Sequence, residues 1–167
     1  MLEILYPRRC AVCDEIEVTG KGICPLCKDK VHVAGEPACK KCGKPLVDER
    51  KEFCTDCGKK HHVYTQGKAV FVYEGGIRNS MYRFKYGNKR EYAEFYANAA
   101  VEKYGVWLNK IKAEVLIPIP MYSRKKRLRG YNQAEVFARE LGRKAGILVD
   151  EHLVRRVRNT IPTKRVK

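Results

Sequence analysis

The chain has 167 residues and a formal net charge of +16, large for that length. No run approaches the ~20 consecutive apolar residues of a helical membrane span, and Met1-Leu-Glu-Ile-Leu-Tyr-Pro7 gives way at once to Arg8, Arg9 and Cys10, with no apolar signal segment. Composition therefore argues against helical membrane spans and export, and a cytoplasmic location is expected.

All eight cysteines lie between residues 10 and 57, as four Cys-x-x-Cys pairs: Cys10/Cys13, Cys24/Cys27, Cys39/Cys42 and Cys54/Cys57. Successive pairs begin 14, 15 and 15 residues apart, which makes this stretch a quasi-repeat. Two residues between cysteines let both sulfurs of a tight turn point at one ion, so two such turns complete a tetrahedral four-sulfur site. Eight ligands imply two Zn²⁺ ions, with Cys10, Cys13, Cys24, Cys27, Cys39, Cys42, Cys54 and Cys57 as ligands. A disulfide framework would need an oxidising compartment, and a redox Cys-x-x-Cys is poorly matched by four copies without a βαβ setting. Four thiolates leave no open position for a substrate, so the metals are expected to be structural. The intervening loops hold only 10 or 11 residues and are mostly polar. Stretches that small cannot bury a core of their own, and structural zinc supplies on the order of 10–16 kcal/mol per site. Neighbour pairing, first with second and third with fourth, is preferred over a cross-brace because its loop closures are shorter. His61 and His62 follow closely but are read as linker residues.

Charge is divided unevenly. Residues 1–67 hold twelve Lys and Arg against ten Asp and Glu, whereas residues 68–167 hold twenty-three against nine. Eight thiolates and two dications together subtract four charges, which brings the metallated first part to about −2. A phosphate-rich partner should therefore meet the second part. The sequence divides accordingly into a double zinc ribbon over 1–67 and an α/β domain over 68–167.

In that second part, Lys68–Glu74 reads as a short strand closed by a Gly75-Gly76 turn. Tyr82, Phe84 and Tyr86 follow between elements, as a base-stacking set or, preferably, as core and cleft rim. From Glu91, the spacing of Tyr92, Phe95, Tyr96, Ala99 and Ala100 predicts an amphipathic helix that frays near Gly105, with Trp107 and Leu108 still packed inward. Ala113–Pro120 reads as a buried strand ended by prolines. Arg124–Arg129 carries five cations in six residues and lies between that strand and a helix start, where α/β folds hold phosphate. Asn132 with Glu135 matches a capping pattern, Phe137, Ala138, Leu141 and Ala145 supply an apolar stripe, and Gly146 is the stop. Asp150-Glu151 precedes a basic tail of Arg155, Arg156, Arg158, Lys164, Arg165 and Lys167. Strand and helix alternation suggests a parallel sheet.

The order of the cysteine module, then Phe84-Lys-Tyr-Gly-Asn-Lys-Arg90, then Leu116-Ile-Pro-Ile-Pro-Met-Tyr-Ser-Arg-Lys-Lys-Arg-Leu-Arg-Gly-Tyr-Asn-Gln133, resembles the ComF family. The resemblance runs from about Tyr6 to Thr163, and its most specific stretch is Arg124 to Gln133. It implies a double zinc ribbon followed by a type I phosphoribosyltransferase-like domain, in a protein associated with competence and DNA uptake. It also implies phosphoribosyl pyrophosphate as ligand, accompanied by Mg²⁺ in a full-length form, with Lys85, Arg90, Arg124, Arg129, Asn132 and Gln133 as contacts. The family continues to two adjacent acids and a Thr-Thr-Gly loop, and this chain has neither after Thr160. About half of the implied α/β domain is thus expected to be missing, the chain is expected to be a fragment, and no catalysis is expected from it alone. Single-stranded DNA at the basic part, or a competence or helicase-type protein docked on the ribbons, are the alternative partners.

Overall fold

The computed structural model describes residues 7–160, so the basic-tail residues Lys164, Arg165 and Lys167, with Tyr6 and Thr163, lie outside the described residues. The chain forms two compact units that divide between Met81 and Tyr82. Among the described residues no helix is long and apolar enough to cross a membrane.

The first unit is built from one motif used twice. The Cys10 amide donates to the Glu15 carbonyl (2.8 Å), the Asp14 amide donates to the Cys10 carbonyl (2.9 Å), and Arg9 pairs with Ile16 in an antiparallel bridge. Shifted by 29 residues, the Cys39 amide donates to Lys44 (2.8 Å), the Gly43 amide to Cys39 (2.8 Å), and Ala38 pairs with Pro45. Asp14 and Gly43 turn each loop through positive φ, 71° and 74°, the region that Gly tolerates freely and Asp more readily than most residues. Each motif closes on a short helical turn entered from an extended cysteine. Cys24 precedes the 3₁₀ turn Pro25–Lys30, and Cys54 precedes helix α1, Thr55–Lys59. The second copy is one residue longer, so the shift from Cys24 to Cys54 is 30.

The segment expected as a strand over 68–74 pairs at one position only, an antiparallel bridge of Phe71 to Val33. The Ala34 amide donates to Val70 (2.9 Å) and the Val72 amide to His32 (2.9 Å). These bonds lay residues 70–72 along the link between the two cysteine motifs. Gly75 and Gly76 are not a free turn but the start of helix α2, Gly75–Tyr86. A β-carbon at Gly76 would stand 2.7 Å from Val12 Cγ1 and 2.9 Å from the Lys30 carbonyl, so only glycine permits this approach.

The second unit is mixed and largely helical, with little sheet. Helix α3, Tyr92–Lys110, buries Tyr92, Ala93, Phe95, Tyr96, Ala97 and Ala100 and runs on past Gly105. The remaining elements are strand β1 (Val115–Leu116), helices α4 (Ser123–Arg129) and α5 (Gln133–Ala145), and strand β2 (Leu148–Val149). β1 and β2 are parallel, with Val115 opposite Leu148 and Leu116 opposite Val149. The expected strand over 113–120 shortens to two residues because Pro118 and Pro120 offer no amide to a ladder. α5 packs on α3 and on β2. Asn132 caps α5 by accepting from the Ala134 amide (3.1 Å), and Gly146 ends it at φ 69°.

Candidate metal centres and a basic strand-end cleft

The cysteines gather into two groups, Cys10/Cys13/Cys24/Cys27 and Cys39/Cys42/Cys54/Cys57, and within each group the four sulfurs lie within 4.8 Å of one another. This is the neighbour pairing. The Cys13 and Cys24 sulfurs are 3.7 Å apart, as are those of Cys42 and Cys54. A tetrahedron with Zn–S bonds of about 2.3 Å has edges of roughly 3.8 Å, whereas a disulfide needs about 2.05 Å. All eight residues are free cysteines, so the donor sets fit zinc. These are two four-cysteine zinc-binding sites, each able to hold one structural ion. His61 and His62 belong to neither group; His62 instead stacks on Tyr64, ring centres 5.2 Å apart.

Backbone amides prepare the first sulfur of each site. Burial alone would raise the Cys10 thiol, but amides of Cys13, Cys24 and Val12 hold it down to about 7. Cys39, in the equivalent place, is likewise raised by burial yet brought to about 6 by amides of Cys54, Cys42 and Lys41. Both Val12 and Cys24 amides donate to Cys10 Sγ at 3.4 Å. At the far end of each site, burial and hydrogen bonds among the sulfurs push Cys27 and Cys57 up to about 12. Four such groups held at tetrahedral distance are what a dication resolves, by ionising all four.

Around the first site, Glu17 is buried and organises the loop between ligand pairs. Its carboxylate accepts from the Thr19 amide (2.6 Å), the Gly22 amide (3.0 Å) and the Thr19 hydroxyl. Burial raises its pKa, and these donors more than reverse that, leaving it below the usual carboxylate range. Nothing in the pattern of cysteines marks Glu17, although an acid four residues after a ligand pair is visible in the sequence.

The second unit brings four of the six expected phosphate contacts to one turn. Arg90 donates to the Gly130 carbonyl (3.0 Å) and to Asn88 (3.2 Å), and its guanidinium lies 4.9 Å over the Tyr131 ring. Arg129 donates to Gln133 Oε1 (2.6 Å) and lies 4.6 Å over Tyr86. Asn132 is fully buried, and its amide group donates to the Ile119 carbonyl (3.0 Å), which ties the loop after β1 to the start of α5. Lys85 lies half-buried on α2, and Arg124 is exposed on the first turn of α4.

At the carboxyl end of the two strands lies a cleft of about 480 Å³, lined among others by Tyr122, Ser123, Lys126, Glu135, His152 and Arg156. Lys126 pairs with Glu135 at 2.6 Å. Arg156 donates to Pro120 (3.5 Å) and to the Thr160 hydroxyl, and Lys125 donates to the Thr160 carbonyl (2.8 Å). Arg156 was legible only as part of a basic run; its partner across the cleft had no sequence signal. Of the Asp150-Glu151 pair, Asp150 accepts from the amides of His152 (2.8 Å) and Leu153 (2.9 Å), and Glu151 pairs with Arg139. Both acids thus stabilise the end of β2.

Two four-sulfur centres, each assembled from a pair of cysteine turns, define a zinc-ribbon module. The family model described as the double zinc ribbon domain matches residues 1–58. No curated protein matches the chain. No solved structure matches it.

Proposed function

We propose that this chain is a ComF-like accessory protein of DNA uptake or nucleotide handling, in which a zinc-stabilised module accompanies a unit that binds a phosphate-rich ligand of the phosphoribosyl pyrophosphate class. The observation that carries this reading is the position of Arg124–Gln133. In a unit with two parallel strands joined through α4 and α5, that segment follows the carboxyl end of β1 and opens α5. Ligands of open α/β sheets bind outside the carboxyl ends of the strands, and a helix start beside cations favours an anion. Mg²⁺ would accompany a pyrophosphate. The reading is of binding rather than transfer, since Asp150 closes its own turn and Glu151 pairs with Arg139. Titration of the full chain with phosphoribosyl pyrophosphate and Mg²⁺ tests it. Saturable heat that is lost in Arg129→Ala supports the reading, and no binding at all overturns it.

A second reading, contact with single-stranded DNA, is favoured by a different observation. Tyr82 and Tyr86 are both exposed, their ring centres are 5.0 Å apart, and Arg129 covers Tyr86. Exposed aromatic rings beside arginine form a stacking platform for bases. It predicts steeply salt-dependent binding of an oligothymidylate that weakens about tenfold in Tyr86→Ala. Phosphoribosyl pyrophosphate binding without oligonucleotide binding would exclude it. The zinc module, with exposed Val18, Leu26, Val47 and Val63 and little net charge, suits a protein partner of the helicase type.

A further inference from the structure

We propose that Cys13 and Cys24 form a site of oxidative modification, at which a two-electron oxidant of the peroxide class forms a disulfide and releases the first zinc while the second centre keeps its ion. The repeat supplies its own control. Cys13/Cys24 and Cys42/Cys54 occupy equivalent places in the two motifs, with the same 3.7 Å sulfur separation. Their surroundings differ.

The second centre is covered by residues 64–69. The Gly67 amide donates to the Lys41 carbonyl (2.6 Å) and Gln66 Nε2 to the Lys40 carbonyl (3.2 Å), both inside the Cys39-x-x-Cys42 turn. Lys41 Nζ lies 5.1 Å from the centre of the Tyr64 ring. Gly67 sits so close that a β-carbon there would be 3.3 Å from Cys42 Cα, and Gly43 meets the backbone of Ala69 at 2.7 Å by the same measure. Cys54 is itself buried.

At the first centre the start of α2 approaches Val12 and Lys30 through Gly76, yet this approach leaves Cys13 uncovered. Cys13 is exposed and Cys24 half-buried, while Cys10 and Cys27 are buried. A crevice of about 440 Å³, lined among others by Val12, Lys30, His32 and Gly76, reaches Cys13 and Cys27; of these two, Cys13 is the exposed one. The two less buried cysteines of this centre thus hold their sulfurs only 3.7 Å apart. Oxidation of a thiolate is selective for exposure, so the difference in cover sets the order in which the centres react.

The chemistry balances with one peroxide. The Cys13 thiolate attacks one peroxide oxygen, the O–O bond breaks, and the displaced hydroxide takes up a proton to leave as water. The sulfenic acid so formed is attacked by the Cys24 thiolate, the S–O bond breaks, and a second hydroxide leaves as water on taking up a proton. Two thiolates lose two electrons and the peroxide gains them. The sulfurs close from 3.7 Å to about 2.05 Å. Only Cys10 and Cys27 then remain as ligands, and the ion is released.

The test uses the full chain loaded with two zinc ions and treated with limiting hydrogen peroxide. Zinc release is followed with a chromogenic chelator, and disulfides are mapped by mass spectrometry after alkylation of the remaining thiols. The expected result is one equivalent of zinc released at least fivefold faster than the other, together with a Cys13–Cys24 disulfide. A difference of less than fivefold, or a Cys42–Cys54 disulfide formed first, overturns the proposal. Gln66→Ala and Tyr64→Ala, each checked to hold two ions before oxidation, should raise the slower rate toward the faster one. An unchanged slower rate in both variants would refute the role of the strap.

Discussion

Tyr131, buried in the turn between α4 and α5, donates its hydroxyl to the main-chain carbonyl of Phe84 in the last turns of α2. The same ring packs at 6.2 Å from Phe84, which packs in turn at 5.4 Å from Tyr96 of α3. The hydroxyl therefore ties the turn before α5 to α2, and the Phe84 ring carries the contact on to α3. Tyr131→Phe keeps the packing and leaves a carbonyl unsatisfied, so it should cost about 1–3 kcal/mol. Urea unfolding of wild type and variant, followed by near-ultraviolet circular dichroism, measures the difference. A loss below a few tenths would mean that water replaces the bond.

Gly142 marks the closest approach of α5 to the strands. A β-carbon there would stand 2.5 Å from Val149 Cγ2 and 2.7 Å from the Ile147 carbonyl. One contact is with backbone, so the site cannot relax by moving a side chain alone. Gly142→Ala, which ordinarily improves a helix by about 1 kcal/mol, should here destabilise by about 1–3 kcal/mol. The sign of the shift in thermal midpoint decides the matter.

Glu17 should govern retention of the first zinc. Glu17→Ala strands the Thr19 and Gly22 amides, at a cost of about 1–3 kcal/mol. In competition with a chelator, the first centre should lose its ion roughly tenfold faster and the second should be unaffected. Full withdrawal of both ions should unfold residues 10–58, because zinc binding and folding are one equilibrium in so small a module. Amide exchange in the second unit should change little.

The pairing of Arg139 with Glu151 gives a pH dependence of defined sign. Hydrogen bonding to Arg139 holds the Glu151 carboxyl below its ordinary value, against the opposing effect of burial. A carboxyl depressed on folding adds stability that is present above the unfolded value of about 4.3 and lost as pH falls through the lower folded value. Arg139 is exposed and the pair is screened, so the contribution should be no more than about 1 kcal/mol. Glu151→Gln should thus lower stability at pH 7 and converge with wild type near pH 2. Urea unfolding at low ionic strength at both pH values checks this.

The cysteine ligands and their neighbour pairing were legible because metal ligation imposes spacing directly on the sequence. Asn132 and Gly146 were legible for a similar reason: capping chemistry is local. Helix α2 was not, because its first residues are glycines chosen for contact with Val12 and Lys30 rather than for helix formation. α4 was hidden by composition. Ser123–Arg129 has no apolar stripe, and Leu128 is itself exposed. The helix over 92–110 was read too short at Gly105, where a β-carbon would find ordinary contact at 3.7 Å from Val101, so glycine there is neither required nor disruptive. Among the basic residues, charge gave no hint that Arg90 and Arg129 would lie flat on tyrosines.

The pairing of residues 70–72 with 32–34 has a practical meaning for anyone dissecting this molecule. The recognisable domain ends at residue 58, but the link between its halves borrows hydrogen-bond partners from beyond that point. A piece cut at 58 would expose His32 and Ala34 to solvent pairing, strip the cover from Cys42, and leave the Val12 side without Gly76. The smallest piece expected to stand alone ends near Met81, more than twenty residues past the end of the recognisable domain.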